Sequence, residues 1–116
     1  MALLVGNGRA TCFAITLLTC AGAAAQTANQ VSFANDVAPI LSQNCMQCHG
    51  QTPAMAELDL RSRDGVLKGG QHGPAIVPGD AAGSRMFKRL TGQEQPQMPM
   101  GGRLTDHQIE IIKNWI

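Results

Sequence analysis

From Ser32 onward the chain shows helical rather than strand periodicity. Phe33, Val37, Ile40 and Leu41 recur at spacings of three and four, the period of one helical face. Pro39 among them is tolerated only in a first turn, where no intrahelical bond is asked of its nitrogen. The pattern therefore predicts a helix from about Asp36 to Asn44, running directly into Cys45. Residues Gly50 to Ala56 read as loop, and Leu58 and Leu60 flank a short extended piece. Ser62 to Lys68 can form a short helix that Gly69-Gly70 would end, followed by a turn-rich connector from Gly73 to Pro78. Asp80 is an N-cap candidate for a helix through Arg89 or Leu90, with Met86, Phe87 and Leu90 on one face and Gly83 weakening its start. After the loop Gly92 to Arg103, Thr105 and Gln108 form a capping-box pattern with Leu104 and Ile109 at the staple positions. The last helix then carries Ile109, Ile112 and Ile116, with Ile111 and Trp115 on an adjoining stripe. No strand alternation is sustained and no repeat is visible. The fold class is all-α, three to five short helices with much loop.

The residues before Ser32 follow a different pattern. Met1 to Ala25 hold one charge, Arg9, then an apolar run from Thr11 to Cys20, then small residues before Gln26. These are the three parts of a secretory signal peptide, and the run is too short to span a bilayer. An uncleaved anchor or buried helix is the competing interpretation. Leu17-Leu18-Thr19-Cys20 also resembles a lipoprotein signal, with Thr19 where Gly, Ala or Ser usually stands, so lipid attachment through Cys20 is the lesser alternative. Cleavage after Ala25 gives a domain plan of signal peptide 1–25, flexible lead-in 26–32 and folded domain 33–116. The protein is then exported, to the periplasm.

Removal of 25 residues leaves 91 of the 116, and removal of Arg9 leaves eight basic against eight acidic residues. Neither nucleic acid nor an anionic membrane surface is implied as a partner. A multidomain enzyme is excluded by length. Of four cysteines, Cys12 and Cys20 leave with the signal, so a two-disulfide framework is excluded and only Cys45 and Cys48 remain. Aromatic residues are only 3% of the chain, too few to anchor an aromatic core, which makes a bound group or a staple useful to so small a domain.

Cys45-Met46-Gln47-Cys48-His49 is a C-x-x-C-H sequence, the c-type haem attachment signature. Two thiols one helical turn apart can add to the two vinyl groups of haem, and the histidine that follows can ligate the iron. Export agrees with this, because covalent attachment is completed outside the bacterial cytoplasm. A thioredoxin-like C-x-x-C would need a β-α-β setting, which is absent. A zinc site would need four ligands, and only His72 and His107 remain to join the motif. A structural disulfide with a chance histidine is the remaining alternative. No nucleophile and base system surrounds Ser84 or any other hydroxyl, so hydrolytic catalysis is not indicated.

With that motif stand Phe33, Asp36-Val37, Pro39-Ile40-Leu41, Leu58 to Arg63, Gly69-Gly70, Gly73 to Asp80, Ser84, Met98-Pro99 and Trp115-Ile116. In this order they resemble the planctomycete-type cytochrome c domain, a branch of the class I-like c-type cytochromes, over nearly all of residues 33–116. The chain departs from that pattern in lacking a second proline at or beside Met100, and in stopping at Ile116, where such domains continue, as a truncated domain would. The resemblance implies a small cytochrome c-like fold around one covalently bound haem c and its iron. It implies His49 as proximal ligand and Met98 as the sixth ligand, with Met100 and then His72 as alternatives. The prolines on either side of Gln97-Met98 would stiffen the ligand loop. Gly73-Pro74 resembles the turn that gives a backbone carbonyl to the proximal histidine, which puts Pro74 beside His49 Nδ1, unless the turn is an ordinary one. Arg61 and Arg63 are the candidates for pairing with haem propionates, the alternative being that both are solvated. His107 is expected to be exposed and uninvolved. Arg85, Lys88 and Arg89 read as a solvated helix face or a weak docking patch.

The function so implied is that of a monomeric mono-haem electron carrier between exported redox partner proteins, without enzymatic activity of its own and without a membrane span once the signal is removed. The alternatives are a haem-based sensor or peroxidase-like site with an open sixth position, and an electron-relay module belonging to a larger exported oxidoreductase.

Overall fold

The computed structural model describes residues 30–116. The signal-peptide expectation for residues 1–25, and most of the lead-in, lie outside the described residues. Among these there are five short α-helices and no strand, only two isolated bridges, Gly70 with Gly73 and Val77 with Asp80. The helices are α1 (Ala38–Asn44), α2 (Met46–His49), α3 (Arg63–Lys68), α4 (Arg85–Leu90) and α5 (Asp106–Trp115).

The first helix starts earlier than the proline suggests, because a π-helical turn over Phe33–Val37 leads into α1. Pro39 has no N–H to continue an ordinary ladder, and Ala38 N–H reaches back five residues to Phe33 O instead. Ser32 and Asp36 close the start. Ser32 N–H donates to Asp36 Oδ2 at 2.7 Å, and Ser32 Oγ accepts from Asn35 N at 3.4 Å.

Val37, Ile40 and Leu41 are buried as their spacing predicts, and they join Leu60, Val66, Ala75, Ile76, Met86, Leu90, Leu104, Ile109 and Ile112 in one core. Phe33 and Trp115 meet at 5.3 Å between ring centroids, tilted by 48°, and so pin the Phe33–Val37 turn to α5. A pair in that arrangement adds roughly 0.5–1.5 kcal/mol beyond its area. The Thr105 capping box is complete: Thr105 N–H donates to Gln108 Oε1 at 2.9 Å and Thr105 Oγ1 accepts from Gln108 N at 3.2 Å. Leu104 and Ile109 beside it are both buried.

The structure corrects the start of α4. Asp80 caps a turn rather than the helix, its Oδ1 accepting from Gly83 N at 2.8 Å. The residue that precedes α4 is Ser84, fully buried, and its hydroxyl is spent on the preceding turn. Ser84 Oγ accepts from Val77 N at 2.8 Å and donates to Asp80 O at 2.7 Å.

Candidate functional site

The attachment motif is one helical turn laid across the end of α1. Cys45 N–H bonds Leu41 O at 2.8 Å, closing α1, and Cys45 O then accepts from Cys48 N at 3.2 Å and His49 N at 2.9 Å. Residues three apart on such a turn share a face, so both thiols stand on one side of it. Both cysteines are free, Cys48 exposed and Cys45 half-buried. Burial, with Cys48 close by, pushes the Cys45 thiol up to about 11, so it stays a thiol at neutral pH rather than a metal-binding thiolate. Among the described residues no three His, Cys, Asp or Glu side chains gather as a metal site.

His49 is buried, and its ring nitrogen Nδ1 lies 3.1 Å from Leu58 O. A carbonyl can only accept, so Nδ1 carries the proton and Nε2 is left with the free lone pair, the form in which imidazole binds a metal. The backbone holds the residue from the other side as well, through Leu60 N–H to His49 O at 3.0 Å. The carbonyl that meets His49 is thus Leu58's and not Pro74's, as the resemblance had implied. Pro74 is exposed in the connector and lines neither of the cavities described below.

Leu58 is presented by a tight 3₁₀ turn over Met55–Glu57, inside which Ala56 and Glu57 take left-handed φ of 56° and 58°. The turn is braced by Gln71 N–H donating to Ala56 O at 2.7 Å. Two glycines make that approach possible. Gly69 ends α3 at φ 74°, and a Cβ on Gly70 would lie 2.5 Å from Ala56 O and 3.0 Å from Leu58 N.

Two adjoining cavities open beside His49, of about 140 Å³ and about 290 Å³. Both are walled by His49, Met55, Leu58, Met86, Met98 and Met100. Cys45, Cys48, Leu60 and Leu90 line only the smaller, while Gln71, His72, Arg85 and Arg89 line only the larger. Met98 is half-buried against the core, its N–H bonded to Arg89 O at 3.0 Å, whereas Met100 is 68% exposed. Arg61 and Arg63 line neither cavity. Arg61 forks onto the Asp59 carboxylate, the Nη2 contact being 2.6 Å, and Arg63 stands exposed on the first turn of α3. His72 is an exposed loop residue on the larger cavity, and His107 is exposed on α5. Leu58 O, Arg85 and Arg89 are the site groups that sequence reasoning missed.

A family model described as Planctomycete cytochrome C matches residues 45–100. This segment is a planctomycete cytochrome C domain. The match opens on Cys45 and closes on Met100, so the cytochrome C domain takes in the attachment motif, the Met55–Leu58 turn, α3, α4 and both methionines of the 98–100 loop. Helices α1 and α5 flank the matched span. No curated protein and no solved structure gave a match. A cytochrome c domain implies covalent haem and haem-based electron transfer, and the spacing of Cys45 and Cys48 agrees with both.

The residues suit that group. Two thiols share one helical face, a buried imidazole offers Nε2, and a thioether stands in the same cavity wall among leucines, methionines and proline. This is a soft nitrogen and sulfur donor set in an apolar slot, the surroundings a flat macrocycle needs. No helix of the described residues is long and apolar enough to cross a membrane.

Proposed function

We propose that the chain is an exported, periplasmic mono-haem electron carrier, attached to haem c through Cys45 and Cys48 and ligating its iron through His49 and Met98. The single observation that carries this is the His49 Nδ1 hydrogen bond to Leu58 O at 3.1 Å, which fixes the tautomer and leaves Nε2 for the iron. The bound haem supplies the one-electron couple. The protein's part is positional: α2 holds the thiols, Leu58 O holds the imidazole, and Leu60, Met86 and Leu90 supply an apolar wall. Met98 is favoured over Met100 as the sixth ligand because it is half-buried and tied by its backbone to α4, whereas Met100 is largely exposed. With His49 and Met98 both holding the iron, the domain would exchange electrons with partner proteins without bond chemistry, and no enzymatic role is assigned to the domain alone.

Replacing Met98 tests the assignment. The M98A protein should keep its haem, lose the iron–sulfur charge-transfer band of the oxidised form and fall in reduction potential, because a thioether ligand favours the ferrous state. Survival of that band would move the ligand to Met100. Reduced wild-type protein should bind carbon monoxide slowly and incompletely at neutral pH. Rapid stoichiometric binding would mean an open sixth position and a ligand-binding function instead.

A further inference from the structure

One charged cluster on α4 has no part in the electron-carrier reading. Arg85 and Arg89 are one helical turn apart and both line the larger cavity. They share a single carboxylate oxygen: Glu94 Oε1 lies 3.0 Å from Arg85 Nε and 3.1 Å from Arg89 Nη2. Each guanidinium is also steadied by a backbone carbonyl, Arg85 Nη1 by His72 O at 2.6 Å and Arg89 Nη1 by Pro96 O at 3.3 Å. The two side chains are only 39% and 21% exposed, unlike Arg61 at 54%.

The charges do not cancel. Two cations meet one anion, and a guanidinium has five N–H donors, of which these contacts use a minority. An apolar cavity wall thus carries one surplus positive charge and several undirected donors. The placement of that charge is informative. The cysteines that take the vinyl edge of a haem line the smaller cavity, and the arginines line the adjoining one, with His49 and Met98 common to both. A haem carries its two propionates on the edge opposite its vinyl groups, so a macrocycle attached at Cys45 and Cys48 brings its carboxylates to the larger cavity.

We infer that Arg85 and Arg89, tied together by Glu94, are the clamp that receives the haem propionates, in place of Arg61 and Arg63. The inference rests on the haem reading above. Paired carboxylates at the end of an apolar slot need charge-assisted donors, and planar guanidiniums supply them two at a time. Glu94 then has a role of its own. It holds the two guanidiniums in one orientation and offsets part of their charge, so it tunes the field that the iron feels.

The test uses haem-loaded protein with three substitutions, Arg85→Gln, Arg89→Gln and Glu94→Gln, read by covalent haem content and by reduction potential. The ferric site carries one more positive charge than the ferrous site. Removing a clamp cation should therefore lower the potential, and removing Glu94 should raise it. Haem content should stay at the wild-type level, because the thioethers form at the other edge. Arg89→Lys, which keeps the charge, should restore most of the shift, and Arg61→Gln with Arg63→Gln should leave the potential unmoved. Mere disturbance of the loop would shift the arginine and Glu94 variants in one direction, and that result overturns the clamp. So does a potential indifferent to Arg85 and Arg89, or one that follows Arg61. These leave the haem reading standing, whereas wild-type protein without covalent haem overturns both.

Discussion

Asp59 shows how much a single residue next to the site depends on its partner. Its carboxylate is held at about pH 2 by hydrogen bonds from the Arg61 side chain and backbone N–H. A carboxyl group lowered on folding stabilises the native state above its unfolded value near pH 4, and that contribution is lost as the pH falls toward 2. Arg61→Gln should return the Asp59 carboxyl toward its ordinary value, seen by NMR titration, and leave a smaller loss of stability over that window. Because both side chains face solvent the effect is small, and its location matters more than its size. Asp59 sits between Leu58, whose carbonyl meets His49, and Leu60, whose N–H meets the His49 carbonyl. Cys45, Cys48 and His49 are legible in the sequence because attachment chemistry demands those types at that spacing. Leu58 is not, since its contribution is a backbone carbonyl that every residue has, and only the turn at Ala56 and Glu57 aims it. Arg85 and Arg89 were hidden for another reason: on a short polar helix, arginines at i and i+4 look like a solvated face until the loop bearing Glu94 folds back on them.

Local elements were readable wherever a side chain satisfies a helix end and misread where the same side chain serves a turn. Thr105 and Gln108 act as their spacing predicts, and α3 ends at Gly69 as expected, while Ser62, expected as the helix's first residue, is its N-cap. Asp80 has the right chemistry for an N-cap but spends it on Gly83, which moves the helix start from about 80 to Arg85. The turn before α4 hangs on Ser84. Ser84→Ala would leave the half-exposed Val77 N–H without its protein acceptor, a cost of about 0.5–1.5 kcal/mol, measurable as a lower denaturant midpoint. The brace behind His49 responds differently. Gly70→Ala places a Cβ 2.5 Å from Ala56 O and must push the Met55–Leu58 turn away. Weakening the Leu58 hydrogen bond makes His49 a poorer electron donor, so this variant should show a raised potential by voltammetry along with lower stability.

At the scale of the whole molecule the question is what completes the core. The buried cluster draws on α1, α3, α4 and α5, and its only stacked aromatic pair among the described residues, Phe33 with Trp115, lies between the first turn and the last helix. Around His49 the helices do not close on one another: the wall residues Leu58, Leu60, Met86, Leu90 and Met98 face cavities of about 140 Å³ and 290 Å³. Walls of this kind without a partner cost on the order of 24 cal/mol per Å³. For the larger cavity of about 290 Å³ that is at most about 7 kcal/mol, since its exposed loop walls admit water at the mouth. A domain of this size is stable by only about 5–15 kcal/mol in all. A macrocycle bound there would be a structural member as well as the redox centre, which would account for a chain so poor in aromatic residues. A C45A/C48A double variant, unable to attach haem, should give an expanded, weakly cooperative protein with little near-ultraviolet circular dichroism from Trp115. The haem-loaded form should melt in one sharp transition. A compact haem-free variant that melts just as cooperatively would mean that the helices close the core themselves, and that the cavities beside His49 are not held open for a prosthetic group.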